Sequence, residues 1–454
     1  MQSVYFIGIG GVSMSSLALI LKDRGVRVAG YDFKKSDTTA MLEAHGIPVF
    51  YESKPENQDG FDTVVYTAAM RADDPEMLTA KASGAAILTR AELLGKIMHG
   101  YKCSIGVAGT HGKSTTTGML CHIFDAAHAD ATVLAGATIP SLNGSYRIGR
   151  GDTAVFEACE YKDSYLAMHP TLRLVLNVEL DHVDYFGTVD RVVDSFHTYM
   201  TTPSGVGGDT VLYGLDCENA VKAAGDTGVP TYTFSRENEK ADFYAKAITL
   251  DGGYASFDIA VRNAPKPYCH VTLGVPGLHN VSNAVAAAGA AYLCGVNGSA
   301  VAKGLSSFTG VKRRFEKRGT TGNGALVVDD YAHHPDEIRA TLAAARAVAN
   351  ARGGRVICLF QPHTYTRFEA LMEDFAHALS EADITVMADI YAARETNIHG
   401  TSSADIRKYL PEAFYFDSFE KIADFTRKTA TPRDLILTMG AGDIDKLVPL
   451  LLDR

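Results

Sequence analysis

The stretch Gly106-Val107-Ala108-Gly109-Thr110-His111-Gly112-Lys113-Ser114-Thr115-Thr116 decides the fold. A β-branched run at residues 104–108 leads into it, and a helical pattern through Met119 and Leu120 leads out. Strand, glycine loop and helix in that order form a phosphate cradle. Its backbone N–H groups surround phosphate oxygens, a lysine meets the terminal phosphates, and a hydroxyl is offered to Mg²⁺. ATP or GTP is implied, with Gly109, Thr110, His111, Gly112, Lys113, Ser114 and Thr115 as the binding residues. Val107 stands where a strict pattern has glycine, so the motif is a variant. Lys113→Ala is expected to abolish turnover with little loss of fold, because the lysine serves phosphate charge and not core packing.

A second glycine loop lies upstream at Gly8-Ile9-Gly10-Gly11-Val12-Ser13-Met14-Ser15, after the strand-like residues 4–7 and before a helical pattern at Leu17, Leu19, Ile20 and Leu21. Glycines here let a diphosphate approach the N–H groups of a helix start. Gly8, Gly10, Gly11, Val12 and Ser13 are the candidate residues. Asp32, beyond the second strand, is placed to reach a ribose hydroxyl. Ser13 falls where the dinucleotide fingerprint has its third glycine, which disfavours NAD. A nucleotide diphosphate fits.

Short β-branched runs alternate with longer helical patterns along the chain, so the fold class is α/β with mainly parallel sheets. A third strand beginning, residues 325–328, precedes an Asp-rich turn. The two acidic segments Glu157-Ala158-Cys159-Glu160 and Asn177-Val178-Glu179-Leu180-Asp181-His182 both follow strands. Ligands gather at such strand ends, and Mg²⁺ takes oxygen ligands, which suits Glu157 better than His182. The adjacent His333-His334 lacks the spacing of a helical zinc pair.

Composition narrows the class. The 454 residues exceed what one hydrophobic core supports, so two or three domains are expected. A formal net charge of −10 disfavours nucleic acid and anionic membrane surfaces as partners. Seven scattered cysteines without a C-x-x-C pair indicate neither a disulfide framework nor a zinc site, and fit a reducing cytoplasm. The longest apolar stretch, 284–296, falls short of the roughly 18 to 20 residues a bilayer requires.

Taken in order, the motifs at residues 8–15, 109–116, 157–160, 181–182, His279-Asn280-Val281-Ser282-Asn283-Ala284, Asp329-Asp330-Tyr331-Ala332-His333-His334-Pro335, Phe360-Gln361-Pro362-His363 and Gly440-Ala441-Gly442-Asp443-Ile444 resemble the Mur ligases over nearly the whole chain. The resemblance implies three domains, a Rossmann-like one for a UDP-sugar at 1–100, a P-loop ATPase at 101–311, and a Rossmann-like amino-acid domain at 312–454. It implies an ATP- and Mg²⁺-dependent ligase, a monomer or homodimer, that joins L-alanine to the carboxylate of UDP-N-acetylmuramate through an acyl phosphate. Carried over by position, Lys113 meets ATP, Ser114, Glu157 and His182 hold metal, and His279, Asn280, Asn283, Arg313 and Arg314 hold the nucleotide. Tyr331, His333, His363 and Arg367 form the amino-acid site. A protonated amine cannot attack, so a general base is required, and His333 is the candidate. His197 stands where several members carry a lysine. A ligase that attaches a tripeptide to the same UDP-sugar is the rival within the class, and a non-catalytic nucleotide switch the rival outside it.

Overall fold

Strand residues that alternate between two apolar faces explain why the sheets are covered on both sides. In β1 (Ser3–Ile7), Val4 and Phe6 join one core while Tyr5 and Ile7 join another, as the two-residue period of a strand requires. The computed structural model describes residues 1–67, 70, 71, 73–393 and 395–452. With β2 (Arg27–Tyr31), β3 (Val49–Phe50), β4 (Thr63–Tyr66) and β5 (Ala86–Thr89), β1 forms a sheet of order β3-β2-β1-β4-β5. Its pairings are parallel. The chain between Ile7 and Val12 carries the first glycine loop into the helix Val12–Asp23.

The second sheet contains β6 (Cys103–Ala108), β7 (Thr132–Ile139), β8 (Gly144–Arg147), β9 (Thr153–Glu157), β10 (Leu172–Val175), β11 (Thr210–Gly214) and β12 (Thr231–Ser235), in the order β12-β11-β10-β6-β9-β7-β8. Only β8 in this set runs antiparallel to its neighbour. β6 is central, so the loop that follows it opens at the carboxyl ends of β9 and β10, where Glu157 and the 177–182 segment sit.

Chain contacts divide the molecule into two compact units. The first comprises Met1–Tyr244, Val261–Asn263 and Val285–Gly304, and holds both sheets described so far. The second comprises Ala245–Ala260, Ala264–Ala284 and Leu305–Arg454. β13 (Phe243–Asp251) starts in the first unit, while β14 (Tyr254–Val261) pairs antiparallel with β15 (Cys269–Pro276). The second unit also contains β16 (Glu316–Thr320), β17 (Leu326–Asp330), β18 (Val356–Phe360), β19 (Ile384–Met387), β20 (Phe414–Tyr415) and β21 (Leu435–Met439), in the order β16-β17-β21-β18-β19-β20. Again alternate residues feed two cores: Val356, Cys358 and Phe360 one, Ile357 and Leu359 the other. The α/β class with mainly parallel sheets is thus the observed fold.

Cys103, which opens β6, is brought beside Cys294, 191 residues away. Folding lays the end of the helix Leu278–Leu293 beside that strand, a proximity that spacing along the chain does not encode. Cys121, Cys159, Cys217, Cys269 and Cys358 are free. Among the described residues, no helix is long and apolar enough to cross a membrane.

Candidate active site

At the end of β6 the backbone turns into the helix Lys113–Ala126 through Gly112, whose φ of +85° is left-handed and suits a residue without Cβ. No side chain caps this helix, so its first N–H groups remain available to an anion. The loop is braced by the segment after β10. Thr110 N–H donates to the Asn177 carbonyl at 3.1 Å, His111 N–H to Asn177 Oδ1 at 2.8 Å, and Asn177 Nδ2 to the His111 carbonyl at 3.1 Å. The Thr110 hydroxyl donates to the Glu179 carbonyl and accepts from Glu179 N–H. Asn177 is a positioning residue: it opens the second acidic segment, but its bonds to the loop have no sequence signal.

Lys113 is folded inward. Its Nζ donates to the carbonyls of Gly109 (2.6 Å) and Thr110 (3.0 Å) and lies 2.9 Å from Glu160 Oε2. Burial works against the ammonium charge, but Glu160, Cys159 and Glu157 outweigh it, so the lysine is held above its ordinary pKa. The lysine is the counter-charge of a buried carboxylate, so Lys113→Ala is expected to cost stability as well as turnover. Glu160 lies within the Glu-Ala-Cys-Glu motif, yet its partner is visible only in three dimensions.

The expected metal residues separate into two groups. Ser114 Oγ donates to Glu157 Oε1 at 2.9 Å, and Glu157 Oε2 accepts from Gly136 N–H at 2.6 Å. Thr115, next on the helix, is partly exposed. His182 adopts a φ of +50° and holds its ring 4.6 Å from that of Tyr161, tilted by 41°; its Nε2 lies 3.9 Å from Glu160 Oε1 and 3.9 Å from Asp181 Oδ2. Among the described residues no cluster of three or more His, Cys, Asp or Glu side chains forms a metal cage. Oxygen donors beside a phosphate loop suit Mg²⁺, which commonly takes one or two carboxylates and fills its shell from phosphate and water. Ser114 and Glu157 fit that demand. His197 is turned elsewhere, with Nδ1 bonded to the Ala223 carbonyl.

In the first glycine loop a Cβ on Gly10 would sit 2.7 Å from Asp32 Oδ2, so only glycine permits the approach. Gly10 N–H donates to that oxygen at 2.8 Å, and Gly11 N–H to the Gly8 carbonyl. Asp32 therefore fastens the loop from beneath through Oδ2. Val12 and Ser13 begin a helix that again carries no side-chain cap.

The second unit holds the remaining candidates. Asn280 and Asn283 are bonded to each other, and Asn280 Nδ2 donates to the Pro276 carbonyl at 2.7 Å. His279, beside them, is exposed. Arg313 is spent internally, donating to Asp329, to the Gly440 carbonyl at 2.6 Å and to the Gly442 carbonyl at 3.0 Å. Arg314 reaches only as far as 4.0 Å from Glu337. Both guanidinium groups cover the Tyr331 ring at 5.1 and 5.2 Å.

From Tyr331 a row of rings continues through His333 (5.4 Å) and His363 (6.1 Å) to Tyr391, stacked on His363 at 5.7 Å. Tyr391 comes from a loop after β19 and carries no sequence signal of its part in the row. Burial, with His333 and Arg367 adding to it, pushes the His363 pKa down to about 4, so this imidazole is neutral at ordinary pH. Its Nδ1 is buried without a hydrogen-bond partner. Asp330 accepts from the N–H groups of Ala332 (2.8 Å) and Phe315 (2.6 Å), shaping the turn that presents Tyr331 and His333.

These features define a nucleotide-dependent enzyme with two glycine loops in one unit and a polar aromatic row in the other. Family models agree: the Mur ligase family catalytic domain matches residues 3–102, the Mur ligase middle domain 107–291, and the Mur ligase glutamate ligase domain 313–442. The chain belongs to the Mur ligase family. It is 44% identical to the UDP-N-acetylmuramate--L-alanine ligase of Agathobacter rectalis, covering 99% of this chain and 98% of that protein. The enzyme of the same name from Caldicellulosiruptor saccharolyticus is 42% identical, covering 100% and 99%. Among solved structures, the UDP-N-acetylmuramate-alanine ligase of Thermotoga maritima superposes with a TM-score of 0.79 at 27% identity, covering 99% of this chain and 98% of that one.

Proposed function

We propose that this chain is an ATP-dependent ligase that joins L-alanine to the carboxylate of UDP-N-acetylmuramate, with release of ADP and phosphate, in the assembly of the peptidoglycan precursor. The observation that carries the reading is the braced, uncapped phosphate loop with Lys113 poised on it, in a chain whose full-length relatives at 38–44% identity bear that enzyme's name.

A carboxylate does not react with an amine unaided. Its oxygen first bonds to the γ-phosphorus of ATP while the bond to the ADP oxygen breaks, giving an acyl phosphate. The L-alanine amine then attacks the acyl carbon, and phosphate leaves with the carboxylate oxygen it captured. Lys113 and the helix N–H groups lower the cost of bringing two anions together. Ser114 and Glu157 would hold Mg²⁺, which supplies further charge neutralisation at the phosphates when bound. The ammonium form of alanine must lose a proton before attack. His333 is suited to accept it. Its Nδ1 lies 3.0 Å from the Tyr331 carbonyl, an acceptor only, so the neutral ring carries its hydrogen there and keeps its lone pair on Nε2. Neutral His363 and cationic Arg367 supply the donors for the amino-acid carboxylate.

The reading locates the reaction in the cytoplasm and requires neither nucleic acid nor membrane, with a monomer or homodimer as the working unit. ADP release measured with UDP-N-acetylmuramate, ATP and Mg²⁺ should depend on L-alanine. Release that depends instead on a tripeptide would assign the chain to the rival ligase, and release of no ADP with any amine would refute the ligase reading.

A further inference from the structure

Arg90 opens the helix Arg90–Met98 directly after β5, and its Nη1 donates to the Ser13 hydroxyl at 3.0 Å. Ser13 belongs to the first turn of the helix that ends the glycine loop, a turn with neither a side-chain cap nor an acidic residue. Among the described residues, Ser13 is the hydrogen-bond partner of Arg90 and no carboxylate lies within ion-pair distance of it. A guanidinium is charged at every ordinary pH, so partial withdrawal from water without a counter-charge is unfavourable unless an anion arrives.

The loop shows why an anion would need it. Gly10 and Gly11 have already committed their N–H groups, to Asp32 and to the Gly8 carbonyl. What remains is the partial positive charge of one helix start, roughly half an elementary charge. A diphosphate brings about two negative charges. Lys34 and Lys35 are occupied over the rings of Phe33 and Tyr51. Arg90 is the cation that touches the loop. The Cys159 thiol is an electrostatic neighbour both of Arg90 and of Lys113.

We propose that Arg90 binds the diphosphate of the nucleotide-sugar from the Ser13 side of the glycine loop, and so positions the sugar's carboxylate towards Lys113. The inference rests on the UDP-sugar reading above. Binding of UDP alone to the intact protein tests it, measured calorimetrically for the parent, Arg90→Gln and Arg90→Lys. The glutamine can still donate to Ser13 but carries no charge. Loss of a charged hydrogen bond weakens UDP binding by roughly tenfold to a hundredfold in Arg90→Gln, reduces the salt dependence of the dissociation constant, and raises KM for the UDP-sugar but not for ATP. Arg90→Lys restores part of the affinity, since it returns the charge without the fork.

UDP affinity in Arg90→Gln within about twofold of the parent, a change less than the tenfold expected of a charged contact, overturns the proposal. So does a loss of affinity for ATP and UDP alike together with a lowered melting temperature, which marks a purely structural role. Should the glutamine variant not fold, Arg90→Lys decides alone: weaker UDP binding at an unchanged melting temperature supports the proposal, and parental affinity refutes it. A parent that fails to bind UDP defeats the substrate reading itself and is separable from either result.

Discussion

Lys113→Ala removes one half of a buried ion pair. The side chains of Lys113 and Glu160 are 14% and 3% exposed, and the charged atoms are 2.9 Å apart. Deleting the lysine strands a carboxylate that water hardly reaches, a change that typically costs about 3–5 kcal/mol.

The deficit relative to the parent is therefore expected to be about 3 kcal/mol at pH 8. Adding Glu160→Gln to the lysine variant should recover most of the loss at pH 8. The chain has no tryptophan, so urea unfolding followed by far-ultraviolet circular dichroism is the suitable assay. Parental stability of Lys113→Ala at pH 8, or a double variant no more stable than Lys113→Ala, would refute the reasoning.

Asp329 is fully buried, and burial raises its pKa to about 6 despite Thr438 and Arg313. A raised carboxylate pKa favours the folded state below the unfolded value near 4, and that advantage is lost as pH climbs through 6. The penalty at neutral pH is about 3 kcal/mol. Asp329→Asn should flatten this part of the stability profile between pH 4 and 6.5, as read by thermal melts across buffers. Arg313→Ala unpairs Asp329 and frees two glycine carbonyls, for an expected loss of about 3 kcal/mol in chemical denaturation; Arg313→Lys, lacking the planar fork, should not restore it. Asn177→Ala releases the brace on His111 and should raise KM for ATP about tenfold, with a smaller effect on kcat, in steady-state kinetics.

Both glycine loops are legible in the sequence, because a strand, a glycine run and a helix leave a local pattern. The alternation of apolar residues in 4–7 and 356–360 likewise announces two-sided sheets. Longer-range pairings leave no such trace. Nothing local tells that Glu160 answers Lys113, that Arg313 turns inward to Gly440 and Gly442, or that Cys103 meets Cys294. The position of Asp32 is legible but its use is not: a carboxylate 2.8 Å from Gly10 N–H holds the loop together before it holds any ligand. For the metal, residue type points to Glu157, while His182 is suggested by the resemblance alone, and its Nε2 lies 3.9 Å from both a Glu160 and an Asp181 carboxylate oxygen.

Central to the proposed chemistry is that the carboxylate of the UDP-sugar attacks ATP before the amine arrives. UDP-N-acetylmuramate labelled with a heavy oxygen isotope in that carboxylate, turned over with ATP and L-alanine, reports the step by mass spectrometry of the released phosphate. One labelled oxygen per phosphate is predicted. Amide product accompanied by unlabelled phosphate would contradict the acyl-phosphate mechanism and the arrangement of the site on which it rests.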